Sequence, residues 1–324
     1  MKILIVGGAG YIGTVLIEEL LKFDYEVDVV DLCWFGNHLP SGCRLIKRDA
    51  MDLVKNDLIG YDQVIFLAGL SNDPMAELSG PHNFIHNTAI PTHIAILAKE
   101  AGVKRFIFAS SASVYGFTNN EIYNEESIPL TAFPYGMSKL QTERGIFQIA
   151  DKNFSVVAMR KGTVCGYSPR MRFDLVVNTM FKTAILTKKI TINNPALQRP
   201  ILSIRDAVRA YVFTIRSPYS VSGIFNFISE NTNLKELGET VQHIVTKELD
   251  IDVELEIFNK PDLRSYQISA AKAEMVLGYI PTFFIKDIVY ELVSHRNEFG
   301  DFSDQNYYNI EIFKKTYEDW RNRS

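Results

Sequence analysis

This sequence predicts a doubly wound α/β fold, a parallel sheet with helices on both faces. Three observations predict it. Short apolar runs, rich in β-branched and aromatic residues, alternate with amphipathic stretches across the first two thirds of the 324-residue chain. The runs are almost continuously apolar, as strands covered on both faces must be. A glycine-rich turn, GGAGYIG at 7–13, joins the first run directly to the first amphipathic stretch.

Taken in order, KILIV (2–6), VDVV (27–30), RLIK (44–47), QVIFLA (63–68), RFIFAS (105–110) and FSVVAM (154–159) read as strands. Residues 11–22, 82–101 and 134–152 read as helices between them. After about residue 160 the pattern loosens. A segment rich in Pro and Arg (168–172) leads into a helix over 174–187, then a short strand ITI at 190–192 and a loop through Asn193, Asn194 and Pro195. LKELGETVQHIV (234–245) has helical periodicity and VELEIF (253–258) alternates like a strand. The stretch 269–277 reads as a helix stopped by Gly278. The tail 301–324 is polar and aromatic and is expected only to wrap the surface. There is no internal repeat and no low-complexity segment.

Composition narrows the class. Hydrophobic residues at 47% and charged residues at 22% exclude long disorder, collagen-like sequence and a disulfide scaffold. A net charge of −4 argues against nucleic acid as the main partner, because phosphate-backbone binding needs a basic surface. No run of about 18 apolar residues is present to span a membrane. Glycines begin at residue 7, too early for a signal-peptide core. Cys33, Cys43 and Cys165 are odd in number and lack metal-like spacing, as do the six histidines. A reduced cytoplasmic protein without a metal is the expectation.

Gly7, Gly10 and Gly13 have the GxxGxxG spacing that lets backbone turn tightly and approach a pyrophosphate, with Tyr11 and Ile12 inside the same turn. The following helix supplies N–H groups and a positive dipole end. The second strand ends in Asp31, 18 residues after Gly13. A carboxylate there accepts ribose hydroxyls and repels a 2′-phosphate, and no Arg or Lys is its sequence neighbour, so NAD is favoured over NADP. Asp49, with Ala50, follows the third strand, where the carboxylate either meets an adenine amino group or caps a solvated turn. Leu67, Ala68 and Gly69 end the fourth strand with mostly small residues that suit close passage of a cofactor.

Two features mark the other end of such a cofactor. Ser110 and Ser111 end the fifth strand, and Tyr135 and Lys139 stand one helical turn apart on a shared face after Pro134. A neighbouring ammonium is expected to lower a phenol pKa that is ordinarily near 10. Tyr135 would then exchange a sugar hydroxyl proton while Ser111 orients the same oxygen.

These motifs, with FLAGLSNDP (66–74), FIFASSASVYG (106–116), YGMSK (135–139), RPILSIRDAVRA (199–210) and RSYQISAAKAEMVLGY (264–279), resemble an extended short-chain dehydrogenase/reductase. The resemblance is to the NAD-dependent nucleotide-sugar epimerase/dehydratase family and spans roughly residues 1–295. It implies a Rossmann-like NAD-binding domain over 1–165, with a return segment near 200–228, and a smaller, mainly substrate-binding domain over 166–324. It also implies Ser111, Tyr135 and Lys139 as the catalytic set and Asn87 as a cofactor-side residue. Ser71, Ser113, Thr163, Asn178, Arg199 and Arg264 fall at positions that contact the nucleotide-sugar. Guanidinium forks at 199 and 264 would suit its diphosphate. A homodimer is implied through the helices near 84–101 and 135–151, by way of Phe84, Ile85, Ile94, Ile96, Ile146, Phe147 and Ile149. These side chains are equally compatible with ordinary core.

Departures bear on the reaction. Ala112 and Ser113 stand where family 4,6-dehydratases carry the acidic group that drives loss of water. The Cys and His acid–base pair of the combined epimerase–reductases is absent from its place. Cys165 takes a position where many relatives have Tyr, and a packing role is the simpler account. SPRMRFDLVVN (168–178) resembles bacterial surface-polysaccharide enzymes, including ones that oxidise C4 of a GDP-linked heptose. In it, Arg170 and Arg172 either meet phosphate or sugar or form a solvated basic loop. The leading expectation is an NAD-dependent nucleotide-sugar 4-epimerase working through a 4-keto intermediate. A C4 dehydrogenase or 4-keto reductase, and a non-catalytic NAD-sensing module, are the alternatives.

Overall fold

The computed structural model describes residues 1–116, 121–259 and 265–323, with side chains to 318. The first half alternates strand and helix. It runs β1 (Lys2–Val6), α1 (Tyr11–Leu21), β2 (Glu26–Asp31), β3 (Arg44–Lys47), β4 (Gln63–Phe66) and α2 (Asp73–Leu78). Helix α3 (Gly80–Phe84) passes through a π-helical turn, Ile85–Ala89, into α4 (Ile90–Glu100). Next come β5 (Arg105–Phe108), β6 (Ile122–Tyr123), α5 (Pro134–Phe147), β7 (Ser155–Lys161) and β8 (Thr163–Cys165). The remainder comprises α6 (Val176–Thr187), β9 (Lys189–Asn193), β10 (Gln198–Ser203), α7 (Ile204–Arg216), β11 (Gly223–Phe227) and β12 (Glu230–Asn233). It ends with α8 (Leu234–Leu249), β13 (Glu254–Phe258), β14 (Gln267–Ile268), α9 (Ala271–Leu277), α10 (Ile285–Ser294) and α11 (Asn309–Arg323).

Seven strands pair in parallel in the order β11-β7-β5-β4-β1-β2-β3. Their side chains alternate between two cores, as a period of two requires. Ile3, Ile5, Val29 and Ile107 face α1 and α7. Leu4, Val6, Phe66 and Phe108 face α4 and α5. Both faces are dry, which is why the runs read as continuously apolar. The order reverses direction between β1 and β4, so the connections leaving those strands part company and open a crevice at their C-terminal ends.

Three smaller sheets lie beyond: β12-β10-β8, β13-β9 and β14-β6. The first holds Thr163 beside Ile201, at the mouth of the crevice. The tail does more than wrap the surface. Helix α11 packs on α2, and Phe313 is fully buried with Leu70 and Met75. No described helix is long and apolar enough to cross a membrane.

Candidate functional site

A crevice of about 420 Å³ opens at the switch point, within the range of roughly 300–1,000 Å³ usual for small-molecule sites. At one end, Gly7 leaves β1 with φ +84°, and a Cβ there would lie 2.3 Å from the Ala68 nitrogen. Only glycine fits that crossing of two strand ends. Helix α1 then begins behind Gly10 with no side-chain cap and no acidic residue in its first turn. Its first N–H groups and positive dipole end are left for an anion. Asp31, at the end of β2, accepts the Ala9 and Cys33 N–H groups at 3.0 and 2.7 Å. Burial pushes its pKa up, while those two donors pull it back. Each carboxylate oxygen keeps a lone pair for a further donor. Asp49 caps the turn of residues 50–52 through the Met51 N–H at 2.9 Å, and Ala50, Leu67, Ala68 and Gly69 form the neighbouring wall.

The opposite end carries the groups that can move a proton. Ser111 follows β5 and begins a single turn, accepting the Ser113 N–H at 3.2 Å and the Ser113 hydroxyl at 2.8 Å. Pro134 starts α5, which puts Tyr135 and Lys139 on one face, with the Lys139 Nζ 5.7 Å from the Tyr135 ring centre and 4.8 Å from that of Phe108. Thr163, Ser71 and Tyr266 line the same crevice.

The electrostatics here run against the lowered phenol pKa expected from the sequence. Burial raises the Tyr135 pKa above its ordinary value and the Asp73 charge adds to this; Arg172 and the hydrogen-bonding Ser111 pull the other way. Burial also brings Lys139 down to about 7, with Glu143 offsetting part of that shift. The amine and the phenol share one dry site, so each is driven toward its neutral form and the ammonium that should favour phenolate is itself weakened.

Several residues assigned to ligands sit elsewhere. Asn87 is fully buried under the crevice rather than in its wall. Its Oδ1 accepts the Leu70 N–H at 3.0 Å, and its Nδ2 donates to the Leu70 carbonyl at 2.9 Å. It supports the Gly69 turn, where φ is +144° and a Cβ would come 2.3 Å from Asn87 Oδ1. Asn178 is likewise buried, accepting the Gly166 N–H at 3.1 Å and donating to the Arg172 carbonyl at 2.8 Å. Both amides are used by backbone, which explains why neither faces the opening. Arg199 lies off the crevice wall, donating to the Gln198 carbonyl at 2.9 Å with its guanidinium 5.9 Å from the Tyr266 ring. Arg264 lies outside the described residues. Cys165 is buried, and its thiol is pushed up to about 12, which suits packing rather than chemistry.

The loop 168–175 lines the crevice through Arg170, Arg172, Asp174 and Leu175. Arg172 forks onto Asp174 with two bonds of 2.9 Å, and Arg170 turns into the crevice beside it. These arginines are built into the wall and are not solvated. Asn309, at the start of α11, also lines the crevice. It is the crevice residue most clearly missed from sequence, because nothing in a polar tail marks one asparagine out. Among the described residues no three His, Cys, Asp or Glu side chains gather as a metal site.

NAD suits this donor set. An uncapped helix end would meet its diphosphate, a carboxylate its ribose, and a tyrosine–lysine–serine group its reactive end. A protein-family model described as the NAD dependent epimerase/dehydratase family matches residues 3–227. The chain belongs to that family. It is 27% identical to a Bacillus subtilis protein named an uncharacterized UDP-glucose epimerase, YtcB, over 89% of this chain and 95% of that one. It is 24% identical to the UDP-glucose 4-epimerase of Corynebacterium glutamicum, over 93% and 97% of the two chains. In fold it is similar to MoeE5, solved with UDP-glucuronic acid and NAD, with a TM-score of 0.81, 24% identity, and 92% and 99% of the chains covered. NAD is the cofactor of this epimerase/dehydratase family, and one crevice runs from the glycine turn to Lys139.

Proposed function

We propose that this chain is a nucleotide-sugar 4-epimerase acting through a 4-keto intermediate. The observation that carries the reading is the convergence of Ser111, Tyr135 and Lys139 on one wall with Ala112 and Ser113 beside them. That wall can remove and return a hydroxyl proton but has no carboxylate at 112 or 113 to drive elimination. When bound, NAD supplies a nicotinamide that takes hydride from the sugar C4 and gives it back. Ser111 holds the C4 oxygen, Tyr135 exchanges its proton, and Lys139 in its charged form favours the phenolate. Thr163, Ser71 and Ser113 surround the sugar. Residues 1–165, with 200–228, mainly hold the dinucleotide, and 166–324 the sugar.

A C4 dehydrogenase or 4-keto reductase acting on a similar sugar, UDP- or GDP-linked, uses the same residues. A proton NMR time course of the protein with NAD and a panel of UDP-, GDP- and dTDP-sugars separates the two. A new anomeric signal with the nicotinamide unchanged is the expected result. NADH growing in step with loss of sugar would replace the epimerase by the dehydrogenase. Tyr135→Phe should slow either reaction by about 10²–10⁴-fold.

The proposed partner is a second copy of the chain. Phe84, Ile85 and Ile96 expose apolar surface on α3, the π-helical turn and α4, whereas Ile94 and Ile146 are fully buried core and cannot serve an interface. A single-chain mass by light scattering would remove the dimer.

A further inference from the structure

Among the described residues, Arg170 is the cation whose fully buried nitrogens lack hydrogen-bond partners. Its side chain is 2% exposed, yet Nε and Nη1 have no hydrogen-bond partner. Only Nη2 is engaged, donating to Asn309 Oδ1 at 2.5 Å. The guanidinium plane lies 3.8 Å from the centre of the Phe35 ring. Arg172, two residues on, is neutralised by Asp174, so the two arginines of one loop differ in kind. A buried guanidinium left with open donors is costly unless something anionic meets it. Burial and the adjacent Arg172 charge bring Arg170 down to about 9, and the nearby Asp174 and Asp31 carboxylates offset only part of that shift.

Position identifies the anion. Ser168, in the same loop, donates to the Tyr11 carbonyl at 2.8 Å and lies 3.0 Å from the Thr14 hydroxyl, so the loop is pinned to the first turn of α1. Phe35 follows Asp31 by four residues and belongs to the ribose side. Ser111, Tyr135 and Thr163 are at the other end of the crevice. The glycine turn from Gly7 to Gly13 contains no Lys or Arg, and a helix end contributes only about half a positive charge against a diphosphate carrying two negative charges. A further cation would balance that charge, and among the arginines lining the crevice Arg170 is the one with buried donors left open. Asn309 orients it, and the Asn309 Nδ2 donates in turn to Ser71 Oγ at 2.7 Å, bridging the loop to the end of β4.

We propose that Arg170, held by Asn309 of the C-terminal helix, clamps the diphosphate of the dinucleotide over the α1 turn. The clamp is completed from outside the stretch matched by the family model, which ends at 227. It rests on the assignment of NAD to this crevice and makes cofactor affinity depend on the tail.

The test is isothermal titration of the full chain, freed of carried-over dinucleotide, with two probes. ADP-ribose carries the diphosphate and adenosine does not. Arg170→Gln should weaken ADP-ribose at least tenfold and leave adenosine within twofold, because charge-assisted forks to phosphate are the strong ones. Arg170→Lys should fall between, keeping charge and losing the fork. Asn309→Ala, which leaves the arginine in place, should weaken ADP-ribose several-fold with adenosine unchanged, and it answers the question even if Arg170→Gln does not fold. Equal loss of both probes would overturn the proposal, since the residue would then only shape the pocket. So would an unchanged ADP-ribose affinity accompanied by weaker UDP- or GDP-sugar binding, which would give the guanidinium to the substrate's diphosphate. Wild-type protein that bound no ADP-ribose would remove the NAD assignment and the clamp together; wild-type binding with unchanged variants would remove the clamp alone.

Discussion

Lys139 is driven by burial toward its neutral form in the very place where the reaction wants it charged. The charged and titratable groups facing it are Glu143, Tyr135 and Lys161. Its pKa of about 7 in the folded chain lies below the ordinary 10.5. Between those two values the unfolded chain holds a proton that the native chain has released. Stability from this group therefore rises with pH across that window, and the penalty is fully present below about pH 7. Lys161, also buried and repelled by Lys139, acts with the same sign. Lys139→Met should thus abolish turnover and yet melt a few degrees higher than wild type at pH 7 without cofactor, each kcal/mol being worth roughly 2 °C in a chain of this size. The gap should close as pH approaches 10. Parallel melting profiles between pH 6.5 and 9.5 would show that Lys139 carries no such penalty. Gly7, Asp31, Tyr135 and Lys139 were legible in the sequence because short spacings place them, within α5 for the last two and along β1–α1–β2 for the first two. Asn87 and Asn178 bond to backbone here, and residue type alone does not say whether an amide points at a ligand or at main chain. Arg170 and Asn309 meet across 139 residues, a separation no local spacing encodes.

At the scale of elements, the way α5 docks on the sheet fixes the proton-transfer wall. Glu143, one turn beyond Lys139, accepts Arg160 Nε and Nη2 at 3.0 and 2.6 Å and the Ser110 hydroxyl at 2.5 Å, all of them buried. Arg160 also donates to the Tyr115 hydroxyl at 2.9 Å. One carboxylate thus joins α5 to β7 and to the residue preceding Ser111. Glu143→Ala would strand the Arg160 charge in a dry site and should cost about 3–5 kcal/mol in urea denaturation. A loss below about 1 kcal/mol would mean that apolar packing alone seats the helix. The helix itself was foreseen, but not its end at Phe147. Asp151 stops the following chain by accepting the Asn153 and Phe154 N–H groups at 2.8 and 3.0 Å, a local turn that overrides helical periodicity. The runs at 63–68 and 105–110 overshoot their strands by two residues each, because those last residues leave the ladder to reach the crevice. The π-helical turn at 85–89 keeps the apolar spacing around it nearly intact, so it was invisible.

At the scale of the whole molecule, the seven-stranded sheet was readable because every strand is dry on both faces. The sheet β12-β10-β8 was not, since β12 is ENTN and carries no apolar pattern. What joins the two regions is a polar hub. Asp206, in the first turn of α7, is fully buried and accepts three kinds of donor: a guanidinium, hydroxyls and backbone N–H groups. Arg209 reaches it at 2.6 Å, the Ser229 hydroxyl at 3.1 Å, and the Thr282 and Phe283 N–H groups at 3.0 and 2.9 Å. Arg209 returns to the Ile280 carbonyl at 3.1 Å, so residues 279–284 are strapped against α7 from both sides of one ion pair. Aromatic packing supports the same junction, with the Phe227 and Tyr279 rings 5.1 Å apart. The question is which of the two holds it. Removing the carboxylate leaves two buried N–H groups and a guanidinium without an acceptor, whereas the aromatic pair contributes only about 0.5–1.5 kcal/mol beyond its burial. Asp206→Ala should therefore lose about 3 kcal/mol or more in urea denaturation with the m-value unchanged. A loss confined to about 1 kcal/mol would give the junction to the rings, and a lowered m-value would show the C-terminal region unfolding separately from the sheet.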